Sequence, residues 1–101
     1  MQITTATKLV GLIGHPVAHS LSPVLHNSVY QSLGLDMVYH AFDVTPDKLE
    51  TAIDGFLALG FLGFNVTIPY KNKVNNILES RDAEAQIIGA VNTVKIENGI
   101  L

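Results

Sequence analysis

The run Lys8-Leu9-Val10-Gly11-Leu12-Ile13-Gly14 constrains this chain more than any other feature. It is short, almost wholly apolar and ends in glycine. Such a run reads as a strand buried on both faces, which is the habit of a parallel sheet, where helices cover each side.

The segments that follow fit that reading. A polar loop, His15 to Leu21, leads to Ser22-Pro23, and a helical pattern continues through Val24, Leu25, Val29, Tyr30 and Leu33. Serine at the N-cap and proline at N1 are start signals, and Gly34 is a stop. Met37 to Val44 reads as a second strand. Thr45-Pro46-Asp47 repeats the start pattern, Leu49, Ile53, Phe56 and Leu57 form an apolar stripe, and Gly60 closes it. A third strand is expected from Leu62 to Ile68, with Pro69 opening a helix. A further helix is expected over Asp82 to Ile88, then a strand from Ala90 to Ile96 and a hairpin-type turn at Glu97-Asn98-Gly99 leading into Ile100-Leu101. The alternation predicts an α/β fold in three layers, a mostly parallel sheet with helices on both faces. The final strand has barely begun at Leu101, as expected of a piece of a longer protein.

Composition narrows the classes. With 101 residues there is room for one small domain, taken as residues 1–101, and 48% hydrophobic residues are enough to build its core. A net charge of -3 with six Lys and Arg offers no basic face for a phosphate backbone, so no nucleic-acid partner is expected. The absence of cysteine removes disulfides, thiolate metal sites and a cysteine nucleophile, and is consistent with a cytoplasmic protein. Met1 to Lys8 is no signal peptide. The longest greasy stretch, Phe56 to Phe64, is broken by Gly60 and Gly63 and too short to span a bilayer, so no membrane partner is expected.

Three segments could carry chemistry, since ligands of open α/β sheets bind beyond the carboxyl ends of the strands. In His19-Ser20-Leu21-Ser22-Pro23, Ser20 and Ser22 are two apart in an extended stretch, so their hydroxyls can point the same way. They lie at a helix N-terminus, whose free N–H groups and dipole favour an anion, so the pair would suit a carboxylate or a polyol. Spacing leaves open that Ser22 only caps the helix and Ser20 is a solvated loop residue. In Asn65-Val66-Thr67-Ile68-Pro69-Tyr70-Lys71, Asn65 and Thr67 share one face of a strand end, and Lys71 falls in the first turn of the next helix. A cation there opposes the macrodipole, which with partial burial would lower its pKa and suit it to proton transfer. A surface lysine pointing into water is the alternative. In Gly89-Ala90-Val91-Asn92-Thr93, Asn92 could bond a substrate hydroxyl or simply satisfy a loop.

Other patterns carry less. Gly11 and Gly14 do not make the dinucleotide fingerprint Gly-x-Gly-x-x-Gly, and Pro16 blocks an immediate helix, so no cofactor is expected on this chain. Pro16 also keeps His15 and His19 from sharing a helical face, and with His26 they have no acidic ligand nearby in sequence, so no metal site is expected.

Taken in order and spacing, His19-Ser20-Leu21-Ser22-Pro23 with His26-Asn27, then Asn65 to Lys71, then Gly89 to Thr93, resemble the shikimate dehydrogenases, from Lys8 onward. The resemblance implies a reversible, NADPH-dependent reduction of 3-dehydroshikimate to shikimate in aromatic amino-acid biosynthesis. It implies that Ser20 and Ser22 bind the substrate carboxylate, that Thr67 and Asn92 hold ring hydroxyls with Asn65 nearby, and that Lys71 exchanges the proton. It also implies that the lysine's partner Asp, in an Asn-Thr-Asp segment, the NADP-binding Rossmann domain and C-terminal helices completing the first domain all lie beyond Leu101. The isolated chain is therefore expected to be inactive and to self-associate. Tyr70 stands where phenylalanine is usual and Glu79 where aspartate is common, which puts little in doubt. Two other readings share these motifs: a quinate/shikimate dehydrogenase using NAD, and a non-catalytic module that binds a shikimate-like acid.

Overall fold

A computed structural model describes residues 2–67, 70–80, 85–88 and 93–96, with the backbone alone at 71, 72 and 85–88. Strand β1 (Lys8–Gly14) leads to helix α1 (Ser22–Ser32) and strand β2 (Met37–Asp43). A single 3₁₀ turn (Pro46–Lys48) opens into α2 (Leu49–Leu59), followed by β3 (Gly63–Val66), α3 (Lys71–Ser80), β4 (Ala85–Ile88) and β5 (Thr93–Ile96). The sheet order is β2-β1-β3-β5-β4. β1 pairs in parallel with β2 and β3, whereas β5 is antiparallel to both β3 and β4. Only β5 reverses direction, so the sheet is mostly parallel, as the sequence predicts.

The buried run of β1 is explained by its central place. β2 lies to one side of it and β3 to the other, so right-handed crossovers must put α1 and α2 on opposite faces. The side chains agree. Tyr39, in register with Val10, faces α1 and stacks on His26 with ring centroids 4.3 Å apart. On the other face Ile13, Phe64, Val66, Val94 and Ile96 meet Leu49, Ile53 and Phe56 of α2 and Val74 and Leu78 of α3 in one continuous core. Phe56 is its aromatic centre, stacked on Phe61 at 4.5 Å and within 5.2 Å of Phe42 and of Phe64.

The helix stops behave as expected. Gly34 takes φ +69° after α1, while Gly34 N–H donates to the Gln31 carbonyl and Leu35 N–H to that of Tyr30. These two bonds close a Schellman motif, which favours glycine because its backbone turns left-handed there. The start signals need correction. Leu21, not Ser22, is the N-cap of α1, and no side chain caps it.

A second correction concerns the helix expected over Asp82 to Ile88. Residues Ala85–Ile88 form strand β4, with Ile87 opposite Val94 and Ile88 opposite Thr93. A short apolar run does not separate helix from strand by its periodicity, and adjacent β-branched Ile87 and Ile88 suit a strand once β5 offers a partner. β5 begins at Thr93. The expected strand start at Ala90, the turn at Glu97-Asn98-Gly99, Ile68 and Pro69 lie outside the described residues.

Candidate functional site

The carboxyl edge of the parallel strands carries four of the predicted groups, Ser20, Ser22, Asn65 and Thr67. β1 ends at Gly14, and the loop after it folds back through a hydrogen bond from Ser20 N–H to the Val17 carbonyl, 3.0 Å. The Ser20 hydroxyl oxygen accepts from Ser22 N–H at 3.2 Å, so Ser20, not Ser22, satisfies a backbone donor at the start of α1. The Ser22 hydroxyl lies near the Tyr39 phenol. Both serines are half-buried.

Thr67 extends the pairing of β3 with β1 beyond its last strand residue. Its N–H donates to the Ile13 carbonyl at 3.0 Å and its hydroxyl reaches the same oxygen at 3.4 Å. Gly14 is where this residue meets the serine loop: a Cβ there would run into the Thr67 hydroxyl and come within 2.8 Å of Val17. Gly14→Ala is therefore expected to displace Thr67 and the loop together. Overpacking of this kind costs about 1–3 kcal/mol, and the loss should appear both in thermal unfolding and as weaker binding of the ligand.

Asn65, in register with Leu12, points to the α1 face. Its Oδ1 accepts from the Tyr39 phenol at 2.9 Å and its Nδ2 donates to Thr93 Oγ1 at 2.8 Å. Tyr39 is 3% exposed, and burial pushes its phenol up to about 12, so it stays a protonated donor through neutral pH. Tyr39 and Thr93 were not singled out in the sequence. The available signal was general: a tyrosine in a strand buried on one face needs a partner for its hydroxyl. Beside this line of hydrogen bonds a groove of about 380 Å³ opens on the α1 face, lined by His26, Tyr30, Tyr39, Asn65, Thr93 and Lys95 among others.

Lys71 is the first residue of α3, whose start is marked by the bond from Val74 N–H to the Tyr70 carbonyl, 2.9 Å. Tyr70 is buried, with its hydroxyl donating to the Val44 carbonyl at 2.9 Å, which ties the start of α3 to the end of β2. The Lys71 side chain and Asn92 lie outside the described residues. Of the histidines, His15 pairs with Asp43 at 2.6 Å on the exposed edge and His26 stacks on Tyr39. Among the described residues no three His, Cys, Asp or Glu side chains converge as metal ligands.

Comparison with known proteins decides the family. A family model described as the shikimate dehydrogenase substrate binding domain matches residues 12–94. The chain belongs to that family. A shikimate dehydrogenase (NADP(+)) of Methanocaldococcus jannaschii is 56% identical over 97 residues, covering 96% of this chain and 34% of the relative. The crystal structure of a shikimate dehydrogenase in complex with NADP⁺ superposes with a TM-score of 0.79 at 50% identity, covering 97% of this chain and 34% of that one. A shikimate 5-dehydrogenase from Listeria monocytogenes, in complex with shikimate and NAD, gives 0.80 at 38% identity, covering 99% and 35%. This shikimate dehydrogenase-type domain thus spans about a third of the length of the relatives it matches.

The nucleotide that those structures contain does not fit the first strand-to-helix turn here. A pyrophosphate needs open backbone at that turn and a helix N-terminus directly behind it. At Gly14 the space is filled by Thr67 and Val17, and α1 starts only at Ser22.

Proposed function

We propose that residues 1–101 are the substrate-binding domain of a cytoplasmic enzyme that reversibly reduces 3-dehydroshikimate to shikimate with NADPH. The observation that carries this reading is the gathering of Ser20, Ser22, Asn65 and Thr67 at one edge, with Lys71 opening the helix beside them. Ser20 and Ser22 take the substrate carboxylate, where the amino end of α1 favours negative charge. Thr67, Asn65 and Asn92 receive ring hydroxyls. As hydride reaches the carbonyl carbon, negative charge grows on its oxygen, and the Lys71 ammonium stabilises it and gives up a proton. In the reverse direction the lysine amine takes the proton from the alcohol. Hydride comes from NADPH held by a part of the enzyme other than this domain, so the 101-residue chain alone binds substrate without turning it over.

Steady-state assay of the full-length protein tests this reading. NADP⁺-dependent oxidation of shikimate is expected to exceed oxidation of quinate or the use of NAD⁺. Faster quinate oxidation with NAD⁺ would favour a quinate/shikimate dehydrogenase, and binding of shikimate without turnover would favour a non-catalytic module. Ser20→Ala is expected to raise the KM for shikimate about tenfold, because a hydrogen bond to a charged group is worth about 1.5–3 kcal/mol. Its kcat should change far less.

The isolated chain is also proposed to self-associate. Leu21, Leu25, Val29 and Leu33 recur every fourth residue along α1 and are 53–70% exposed, an apolar stripe that water disfavours. Size exclusion should show oligomers at high concentration, and Leu25→Glu should shift them toward monomer. Monomeric elution of the unaltered chain at every concentration would contradict this.

A further inference from the structure

We propose that Tyr39 is a positioning residue that orients Asn65 toward substrate through a hydrogen bond; this rests on the function proposed above. The argument starts from Asn65, whose two side-chain ends differ chemically. Its Oδ1 can only accept, so the Tyr39 phenol facing it at 2.9 Å must donate. At the other end Asn65 Nδ2 can only donate, so Thr93 Oγ1 accepts at 2.8 Å and its own proton is directed elsewhere. The line runs one way, from Tyr39 through Asn65 to Thr93.

That polarity lets Tyr39 set which end of Asn65 faces the groove. Tyr39 is itself held at its backbone and on one face of its ring. Asn27 bonds both its backbone N–H and its carbonyl at 2.8 Å, and His26 stacks on it at an interplanar angle of 12°. A phenol so fixed transmits orientation, whereas a mobile one would follow its partners.

The test is Tyr39→Phe in the full-length protein, alone and combined with Thr93→Val. Removing the phenol leaves Asn65 Oδ1 without its donor and free to turn. The KM for shikimate is expected to rise about tenfold, with kcat and the nucleotide KM changed less than twofold. The double variant should lose less than the product of the two single losses, because both act along one line. A residue that merely fills space would leave KM unchanged or act multiplicatively with Thr93→Val. Either result overturns the role of Tyr39 while leaving the proposed function standing. No shikimate turnover or binding by the unaltered protein would overturn both. If Tyr39→Phe melts below the assay temperature, Thr93→Val probes the same line from its far end. A severalfold rise in KM supports the inference there, and an unchanged KM overturns it.

Discussion

Lys71→Met in the full-length protein is expected to lower kcat for shikimate oxidation by about 10²–10⁴-fold, the usual contribution of a positioned acid or base. The KM for shikimate should move little, because the carboxylate is assigned to Ser20 and Ser22 and the hydroxyls to other groups. The proposed role of Lys71 explains why the effect should be large. Its backbone opens α3, where a helix field would oppose a cation. The start of that helix is fixed by the buried Tyr70, which reaches back to the Val44 carbonyl. A kcat within tenfold of the unaltered enzyme would remove Lys71 from the chemistry.

Phe56→Ala should be the most damaging core substitution. Phe56 is 6% exposed and touches the rings of Phe42, Phe61 and Phe64. Truncating a buried phenylalanine costs about 3–5 kcal/mol. A domain of this size has roughly 5–15 kcal/mol in total, and each kcal/mol lowers Tm by about 4–8 °C. A fall of well over ten degrees is expected in thermal unfolding followed by circular dichroism. Phe56 lies on the face away from Tyr39 and Asn65, so any fraction that stays folded should keep its ligand contacts. A small change in Tm would mean that neighbouring rings collapse into the space.

These two predictions draw on different amounts of sequence information. The order β1, α1, β2, α2, β3 was legible because each apolar run is bounded by local signals, such as Pro23 before one helix and Gly34 after it. Strand β4 was not, because Ala85–Ile88 becomes a strand only by pairing with β5, and pairing is not written in a short run. In the site, the residues at strand ends were legible: Asn65 and Thr67 follow from the edge rule, and the serine pair from the helix start. Their partners were not. The Asn65 amide is held between Tyr39 of β2 and Thr93 of β5, and only the assembled sheet brings these three together.

The amide of Asn27 has one more effect, on how copies of the domain can meet. β2 is an outer strand of the sheet, and outer strands offer unpaired N–H and carbonyl groups on which another chain can grow the sheet. At Tyr39, the third of the seven residues of β2, Asn27 occupies both groups as a neighbouring strand would. The side chain thereby interrupts the template needed for sheet extension. If the domain self-associates as proposed, this edge would disfavour ladder growth along β2 and leave contacts between helical surfaces, which can close on themselves and remain reversible.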